Sequence, residues 1–255
     1  KDLSGVIRKA ENNSDDVYSI VIITDVTDEK AGQRQKSDFF ANASHELKTP
    51  VAVMQGLSEL LLSKDILDEG SKKQVARIHS ESVRLASLIT DMLELSKLEN
   101  GDSVDAVYSP VDIKAIAEEV ASGLSPELKK KNITLEIFGN GTVTADGKMI
   151  FEIVENLCSN AAHYNVENGK ITVTISENDN ETKLTVADTG IGIEKEYIPR
   201  LCERFYRVDK SRSKKTGGTG LGLAIVKHIC ALYNAELSIE SEVGVGTTVS
   251  VKFAK

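Results

Sequence analysis

The sequence predicts a multi-domain protein: a long α-helical hairpin that pairs as a dimeric four-helix bundle, followed by an α+β domain of the α/β-sandwich kind. Two observations support this fold class. Between residues 28 and 99, apolar side chains recur with a seven-residue spacing, which is typical of long helices that pack along a seam. Beyond residue 110, short β-branched runs alternate with helical stretches, which is typical of a layered α+β domain.

The first predicted element is a β-strand at residues 17–24, where β-branched side chains dominate. We expect no strand before it, so residues 1–27 are interpreted as the C-terminal remnant of a truncated domain. The chain also begins with Lys1 rather than Met, which suggests that it belongs to a longer protein. We therefore expect membrane attachment only through missing upstream segments.

Two long helices are predicted next, within residues 28–103. The first covers residues 28–62, and its apolar seam consists of Phe40, Ala43, Leu47, Pro50, Met54, Leu57 and Leu61. A polar connection at 63–70 leads to a second helix that ends near residue 99, and its seam consists of Ile78, Leu85, Leu88, Met92 and Leu95. Long helices joined by a short loop form an antiparallel hairpin. Because a single hairpin leaves its seam uncovered, we expect two chains to pair into a homodimer.

The remaining residues, 104–255, are predicted to form the α+β domain. Helices are predicted at residues 112–131, 147–163 and 221–233. Strands are predicted at residues 133–138, 170–176, 182–187, 236–240 and 247–253. Because strands joined by short turns alternate with helices, we expect a layered structure of sheet and helices.

Charge and composition limit the classes of function. The chain has 255 residues, with 31 Lys and Arg against 39 Asp and Glu, so its formal net charge is −8. Binding of nucleic acid over the whole surface needs an excess of positive charge, so we expect no nucleic-acid partner. The three cysteines are scattered and form no C-x-x-C pair, so we expect reduced side chains that fill the core.

His45 is the first candidate for chemistry. Its heptad position points away from the seam, so we expect an exposed imidazole, with Glu46 beside it and Thr49 one turn further on the same face. A neutral imidazole is a nucleophile near pH 7, and a neighbouring carboxylate can accept its proton. Pro50 predicts a bend just after His45. The alternative is an exposed histidine without a role.

A polar helix face is the second candidate. Glu152, Asn156, Asn160 and His163 share one face of the predicted helix 147–163. Two amide side chains one turn apart can coordinate a metal ion or phosphate oxygens. The alternative is an ordinary face turned to solvent.

The third candidate is Asp188, which ends a predicted strand and precedes a turn with Gly190 and Gly192. A carboxylate held there can accept a hydrogen bond from a donor such as an adenine amino group. A turn without a binding role has the same pattern.

A basic segment is the fourth candidate. Residues 203–215 carry a net charge of +4, so the rest of the chain carries −12, and Arg207 lies in this segment. Glycines then lead into the predicted helix 221–233, and backbone N–H groups can approach phosphate there. This combination predicts a polyphosphate site, with a solvated loop as the alternative. Neither glycine cluster has the spacing of a dinucleotide-binding motif, and the Gly147-Lys148 pair does not fit a P-loop.

Together these features resemble the sensor histidine kinases of two-component signalling, of the PhoR/WalK-like kind, over about residues 25–253. Six motifs occur in the order and spacing of that family: a phospho-acceptor box at 39–50, an asparagine box at 155–161, a first glycine box at 188–192, a phenylalanine box at 203–207, a second glycine box at 218–223 and a last glycine box at 244–247. Each motif is weak alone, but six in this order make chance unlikely.

The resemblance implies a histidine protein kinase that uses ATP and Mg²⁺. His45 would receive the γ-phosphoryl group, Glu46 would assist proton removal, and Thr49 would support dephosphorylation of the partner. Arg207 would contact phosphate, and Asn160 would bind Mg²⁺. The residues implied to bind ATP are Asn156, Asn160, His163, Tyr164, Asp188, Gly190, Gly192, Gly218, Thr219, Gly220, Leu221, Gly222 and Thr247.

The resemblance also implies domains and partners. Residues 1–27 would be the remnant of a PAS-like sensor domain, 28–103 the dimerisation and histidine phosphotransfer hairpin, and 104–255 a Bergerat-type ATP-binding domain. The partners would be a second copy of the chain and a cognate response regulator. The chain would be the cytoplasmic portion of a bacterial inner-membrane sensor.

One departure and two alternatives remain. The family usually has Lys or Arg at position 163, so His163 predicts a mild pH dependence of ATP affinity. An ATPase of the gyrase or Hsp90 type typically has a water-activating Glu where this chain has Asn156, and it lacks His45. A catalytically inactive scaffold would be suggested by loss of Asn160, Asp188 or the lid glycines, which are all present.

Overall fold

The computed structural model describes residues 3–11, 17–25, 27–64, 67–100, 108–208 and 219–255. The chain begins with a β-hairpin, in which β1 (Leu3–Glu11) pairs with the antiparallel β2 (Val17–Asp25). The expectation of no strand before residue 17 is therefore wrong. The charged residues at positions 8 and 9 interrupt the alternating apolar pattern by which a strand is predicted. The backbone N–H and C=O groups of β1 nevertheless pair with those of β2.

Two long helices follow as an antiparallel hairpin. Helix α1 spans Thr27–Ser63 and helix α2 spans Glu69–Asn100, so the predicted bounds are confirmed to within a few residues. Val51 of α1 and Ile89 of α2 are buried. A polar pair also joins the two helices, because Oγ of Ser58 lies 3.1 Å from Nδ1 of His79. None of the helices in the described residues is long and apolar enough to cross a membrane.

The predicted seam divides into two parts. The upper part of the seam is the part nearer the connection between the two helices, and it is exposed in the single chain. There Met54, Ile78 and Leu85 line a groove of about 480 Å³ between the helices. In its lower part, Leu95 belongs to the core of the second domain, and Leu88 packs against that core. The seven-residue repeat therefore serves two different contacts along α2.

The second domain, named here the C-terminal domain (residues 108–208 and 219–255), contains two sheets. Its elements in chain order are β3 (Ser109–Asp112), α3 (Ile113–Lys130), β4 (Thr134–Gly139), β5 (Thr142–Ala145), α4 (Gly147–His163), β6 (Lys170–Glu177), β7 (Glu181–Asp188), α5 (Gly222–Leu232), β8 (Glu236–Glu242) and β9 (Gly246–Ala254). The main sheet has the order β4-β6-β7-β9-β8, with β4 and β6 parallel and the other pairs antiparallel. Strands β3 and β5 form a small separate sheet that the sequence analysis missed.

Helices α3, α4 and α5 of the C-terminal domain cover one face of the main sheet. Alternate residues of β6, such as Ile171 and Val173, are fully buried against Ile150 and Val154 of α4 and Ile229 of α5, all in one apolar cluster. A period of two in the strands and about 3.6 in the helices produces these matching apolar faces. The predicted α/β sandwich is confirmed.

Three polar contacts fix the two ends of α4, the helix that carries several of the candidate site residues. The side chain of Asp146 accepts from the N–H of Lys148 at 2.8 Å and so caps the start of α4. At the other end of α4, Nζ of Lys131 donates to the carbonyl oxygens of Ala162 at 2.9 Å and His163 at 2.6 Å. A cation is favourable there because it satisfies terminal carbonyls and opposes the negative end of the helix dipole.

Candidate functional site

The polar face of α4 forms one wall of the candidate site. Asn156 donates from Nδ2 to the carbonyl oxygen of Glu152 at 2.8 Å, and Asn160 lies one turn further along. Gly222, the first residue of α5, approaches Asn156 so closely that a Cβ atom on it would overlap with Oδ1 of the asparagine. The glycine therefore permits α5 to begin directly beside this polar face.

Asp188 closes the site at the end of β7. Its Oδ1 atom accepts from the N–H of Gly190 at 2.8 Å and from the N–H of Thr247 at 3.3 Å. Burial raises the pKa of Asp188, and the two backbone hydrogen bonds oppose that rise. The first and last glycine boxes therefore meet on one carboxylate oxygen.

The turn after Asp188 is tied to the end of α4. The carbonyl oxygen of Tyr164 accepts from the N–H of Ile191 at 3.2 Å, and a Cβ atom on Gly190 would lie 2.5 Å from that oxygen. Only glycine fits at position 190 without displacing the turn. Gly192 follows in the same turn with a positive φ.

His163 and Arg207 lie close together at the C-terminal end of α4. Desolvation lowers the pKa of His163, Lys131 and Arg207 lower it further, and Glu127 opposes them. The Nε2 atom of His163 is buried and has no hydrogen-bond partner within the described residues, and the ring packs edge-on against Tyr164. These surroundings therefore favour the neutral form of His163, and its buried Nε2 atom is left without a protein partner in the described part of the chain.

The second glycine box leads into α5. Oγ1 of Thr219 accepts from the N–H of Leu221 at 3.3 Å, and the carbonyl oxygen of Gly220 accepts from the N–H of Phe205 at 2.9 Å. Leu221 is fully buried and anchors this segment in the core. Gly218 lies outside the described residues.

The predicted site residues fall into two groups. Those of the C-terminal domain that the structure describes are brought together around α4, β7 and the start of α5. Glu46 and Thr49 lie on α1 instead, and both are exposed. His45 is part of α1, but its side chain lies outside the described part of the structure, so its predicted outward orientation stays a prediction.

The oxygen atoms that the site offers could hold a hard metal cation only if a bound ligand supplied further oxygen atoms. Within the described residues, no group of three or more His, Cys, Asp or Glu side chains is arranged to hold a metal ion. Asn156 and Asn160 supply amide oxygens, which suit Mg²⁺ when phosphate oxygens and water complete its coordination. The residues present therefore fit Mg²⁺ carried by a polyphosphate rather than an all-protein metal centre.

The sequence analysis missed a cluster of carboxylates between α2 and α4. Burial and the negative charges of Glu94, Glu155 and Asp91 raise the pKa of Glu152 from 4.5 to about 7. Burial also raises the pKa of Asp91, and the Thr219 side chain opposes that rise. The acidic residues of α2 could have been noted as a pattern, but nothing in the sequence indicates which element they face.

Asn165 is a second residue that the sequence analysis missed. It is buried, its Nδ2 donates to the carbonyl oxygen of Lys170 at 3.1 Å, and its Oδ1 accepts from the Thr189 hydroxyl at 3.3 Å. These contacts fasten the end of α4 to the turn that follows Asp188.

Comparisons with known proteins agree with this geometry. Residues 35–101 match the model of the "His Kinase A (phospho-acceptor) domain" family. Residues 145–255 match the model of the "Histidine kinase-, DNA gyrase B-, and HSP90-like ATPase" family. The first match covers most of the helical hairpin, and the second covers the candidate site of the C-terminal domain.

Curated relatives are similar along nearly the whole chain. The chain is 34% identical over 236 residues to the sensor-like histidine kinase SenX3 of Mycolicibacterium smegmatis, covering 92% of this chain and 61% of SenX3. It is 34% identical over 239 residues to the phosphate regulon sensor protein PhoR of Pseudomonas aeruginosa, covering 92% of this chain and 54% of PhoR. The chain thus spans less than two thirds of the length of these relatives.

Solved structures share the fold. Full-length ShkA in complex with AMPPNP aligns with a TM-score of 0.69 at 28% identity, covering 86% of this chain and 46% of ShkA. ThkA in complex with the response regulator TrrA aligns with a TM-score of 0.61 at 24% identity, covering 93% of this chain and 70% of that chain. At that identity the second comparison shows the fold alone.

Proposed function

The chain belongs to the sensor histidine kinases, and from that premise we propose that it catalyses Mg-ATP-dependent phosphorylation of His45 and then transfers the phosphoryl group to an Asp of a response regulator. The observation that carries the proposal is the presence, in one chain, of a phospho-acceptor hairpin and an ATPase-type domain. The ShkA complex with AMPPNP supports ATP as the nucleotide, and the ThkA complex supports the fold.

Asp188 is proposed to recognise adenine. Its Oδ1 atom is occupied by two backbone N–H groups, which leaves Oδ2 to accept from the 6-amino group of the base. The same two contacts hold the carboxylate in one orientation. Tyr164, whose side chain is exposed beside His163, is proposed to line the same nucleotide pocket.

The triphosphate is proposed to lie along the polar face of α4, towards the start of α5. Mg²⁺, when bound, neutralises part of the phosphate charge and orients the γ-phosphoryl group. Asn160 would hold it, with Asn156 beside it. Arg207 and the glycine-rich segment from Gly218 to Gly222 would contact the phosphates, with the basic segment as the source of positive charge.

His45 is proposed to be the nucleophile. One nitrogen of its neutral imidazole forms a bond to the γ-phosphorus of ATP, and the bond from that phosphorus to the oxygen of ADP breaks. The imidazolium-like product then loses its proton, which the exposed carboxylate of Glu46 accepts. In the second step the phosphoryl group passes from His45 to a carboxylate oxygen of the regulator, and the imidazole is restored.

The functional unit is proposed to be a homodimer. The exposed upper seam, including Met54, Ile78 and Leu85, forms an apolar surface on the hairpin that a second hairpin would cover. Phosphatase activity towards the regulator is proposed for Thr49, which lies one turn from His45. The curated relatives are sensor proteins that are longer than this chain, and we propose that the chain is the cytoplasmic kinase portion of a bacterial inner-membrane sensor.

Two other functions are less well supported. A gyrase-type or Hsp90-type ATPase needs a carboxylate to activate water, and this chain has Asn156 at the corresponding position. The mechanism of such an ATPase also does not require a phospho-acceptor hairpin, which this chain contains. An inactive scaffold is disfavoured because Asn160 and Asp188 are present and Asp188 is held by two hydrogen bonds.

Incubation with γ-labelled ATP and Mg²⁺ tests the proposed function. We expect a label on the protein that is stable to base and labile to acid, as a phosphohistidine is. His45→Ala should abolish it, whereas His79→Ala, a histidine on the same hairpin, should keep it. Unchanged labelling of His45→Ala would overturn the proposal.

A further inference from the structure

Three polar side chains lie in one row across the strands that end at the candidate site. Asp188 of β7 is the cross-strand partner of Thr247 in β9, and Thr247 is the partner of Ser241 in β8. Directly opposed residues of antiparallel strands point to the same face of a sheet. Val186 and Val249, which belong to the core under the helices, are on this face too. Ser241 therefore lies on the same side of the sheet as the candidate site.

The hydroxyl of Ser241 joins two segments of the site. Its Oγ atom accepts from the N–H of Ile193 at 2.8 Å, in the turn that follows Asp188. The same hydroxyl donates to the carbonyl oxygen of Gly246 at 3.0 Å, at the start of β9. Oγ1 of Thr247 lies 2.8 Å from it. One half-buried side chain thus connects the end of the turn after Asp188 to the last glycine box.

These contacts assign the single proton of the Ser241 hydroxyl. A carbonyl oxygen can only accept, so the proton of Ser241 points to Gly246. In the contact between the two hydroxyls, Thr247 must then be the donor. Ser241 accepts two hydrogen bonds and donates one, which is the full capacity of a hydroxyl. It has no capacity left for a nucleotide, so any role that it has acts through the groups that it holds.

The contact with Gly246 reaches Asp188 through one peptide unit. The carbonyl group of Gly246 and the N–H of Thr247 belong to the same planar trans peptide, so they point in opposite directions. Ser241 holds the carbonyl end, and the N–H end donates to Oδ1 of Asp188 at 3.3 Å. Rotation of this peptide would break both hydrogen bonds together. The Ser241 hydroxyl thereby keeps the N–H of Thr247 directed at Asp188.

The packing of two glycines adds to this restraint. A Cβ atom at position 246 would overlap with the carbonyl oxygen of Asp188, and the φ of Gly246 is 141°, a value that favours glycine. A Cβ atom on Gly192, in the turn after Asp188, would overlap with the carbonyl oxygen of Glu242. Backbone therefore packs directly against backbone around Asp188, and the Ser241 side chain hydrogen-bonds to both of the segments involved.

We propose that Ser241 is a positioning residue for nucleotide selection: by holding the peptide between Gly246 and Thr247, it fixes the carboxylate of Asp188 with Oδ2 free for the 6-amino group of adenine. The inference rests on the proposed function, because it uses the recognition of adenine by Asp188. A carboxylate oxygen can only accept, so it opposes the 6-oxo group of guanine or hypoxanthine. A carboxylate held in one orientation discriminates between these groups more sharply than one that can turn aside.

Calorimetric binding of MgATP and MgITP to the whole chain tests this role, because ITP carries a 6-oxo group where ATP carries the 6-amino group. Ser241→Ala is expected to weaken MgATP binding about three- to tenfold, the loss typical of one hydrogen bond, and MgITP binding less than about twofold. A loss that came only from a less stable fold would lower both affinities alike. Ser241→Thr keeps the hydroxyl and suits a strand, so its preference for ATP should stay within about twofold of wild type.

Ser250→Ala is the matched control. Ser250 lies on β9 at an odd spacing from Thr247 and so faces the other side of the sheet, where its hydroxyl is 3.0 Å from that of Thr185 on β7. Ser250 is buried, so the change removes a buried hydroxyl pair between β7 and β9 but leaves the candidate site intact. Both affinities of this variant should stay within about twofold of wild type.

A double variant tests whether Ser241 acts through Asp188. Asp188→Asn should lose the preference for ATP by itself, since its amide presents no free acceptor to the base. Adding Ser241→Ala to Asp188→Asn should then change the ratio of ATP to ITP affinity by less than about twofold, because the group that Ser241 positions no longer selects the base. Losses of preference that add in the double variant would contradict this route.

The outcomes distinguish the two proposals. A wild-type chain that does not bind MgATP overturns the proposed function and this inference with it. A wild type that binds MgITP as tightly as MgATP overturns the recognition of adenine by Asp188, and with it the role of Ser241. A wild type that prefers MgATP, with the same preference in Ser241→Ala, overturns the positioning role alone. An equal loss of preference in Ser250→Ala also contradicts that role.

Discussion

Gly222 lies so close to Asn156 that a Cβ atom at position 222 would overlap with Oδ1 of the asparagine. The contact joins two elements far apart in the sequence, the polar face of α4 and the first turn of α5. It also places the amide proposed to lie beside Mg²⁺ next to the segment proposed to cover the phosphates. The closeness of the two helices at this point is therefore part of the site.

Gly222→Ala is expected to weaken MgATP binding by roughly three- to tenfold, because the new methyl group must push the Asn156 amide from its place. Isothermal calorimetry with the non-hydrolysed analogue measures this directly. The matched control is Gly123→Ala in α3, where a Cβ atom meets nothing within 4 Å. That control should bind normally and, as an alanine inside a helix, gain about 0.4–1 kcal/mol of stability. Equal affinity in both variants would contradict the proposed place of Asn156.

Asp188→Asn is expected to change which purine the site accepts. The asparagine Oδ1 can still accept from Gly190 and Thr247, so Nδ2 must take the place of the free carboxylate oxygen. An amide N–H facing the 6-amino group of adenine leaves two donors opposed, which should cost about 2 kcal/mol of ATP binding. A 6-oxo purine offers an acceptor there instead.

The measurement for Asp188→Asn is competition between ATP and GTP for binding. The preference for ATP should fall or reverse, while the fold, followed by circular dichroism, should persist because the backbone hydrogen bonds remain. Asp179→Asn, an exposed residue in the turn between β6 and β7, is the control. An unchanged ATP preference in Asp188→Asn would rule out its contact with the base.

His163 predicts a pH dependence of ATP affinity whose sign is fixed by its surroundings. Desolvation lowers the pKa of His163, Glu127 opposes this, and Lys131 and Arg207 lower it further, so the neutral form is favoured and the cation forms only in mild acid. A cation beside phosphate strengthens binding. Wild-type affinity should therefore rise as pH falls from 8 to 6, most steeply at the acid end.

The matching variant for this effect is His163→Lys, which carries its charge throughout that range. Its affinity for ATP should be nearly independent of pH between 6 and 8 and should exceed that of wild type at pH 8. Wild-type affinity that stays constant from pH 6 to 8 would show that His163 does not contact phosphate.

Lys131→Met is expected to destabilise the C-terminal domain. The ammonium group donates to the carbonyl oxygens of Ala162 and His163, and methionine leaves these helix-end carbonyls without that partner. A loss of about 1–3 kcal/mol is expected in the free energy of unfolding by urea. The control is Lys130→Met, an exposed neighbour on α3, which should change it by less than about 0.5 kcal/mol. Equal stability of both variants would mean that water replaces Lys131.

The parts of the fold that sequence predicts well are those with local signals. Helix α4 was predicted with its observed bounds, because Ile150, Ile153 and Leu157 recur at helical spacing. Strands β3 and β5 were missed because four residues are too few for an alternating pattern to stand out.

Contacts between distant elements could not be predicted in the same way. The seven-residue repeat locates Leu95 on an apolar stripe of α2, but the stripe looks the same whether another hairpin or the C-terminal domain covers it. Asp91 and Glu152 each look like ordinary surface carboxylates in the sequence. Their proximity, and the raised pKa of Glu152, arises only when α2 packs against α4.

Thr49→Ala is expected to separate the two activities proposed for the hairpin. Thr49 is exposed on α1, one turn from His45, so loss of its hydroxyl should leave the fold and the phosphorylation of His45 within about twofold of wild type. Dephosphorylation of the phosphorylated response regulator, followed by loss of label, should slow about tenfold, because a general hydrogen-bonding group that orients water is removed. Thr90→Ala, which removes an exposed hydroxyl from α2, should leave both rates unchanged. If Thr49→Ala dephosphorylates the regulator as fast as Thr90→Ala does, the hydroxyl of Thr49 has no role in the phosphatase reaction, and that activity must depend on other groups of the hairpin.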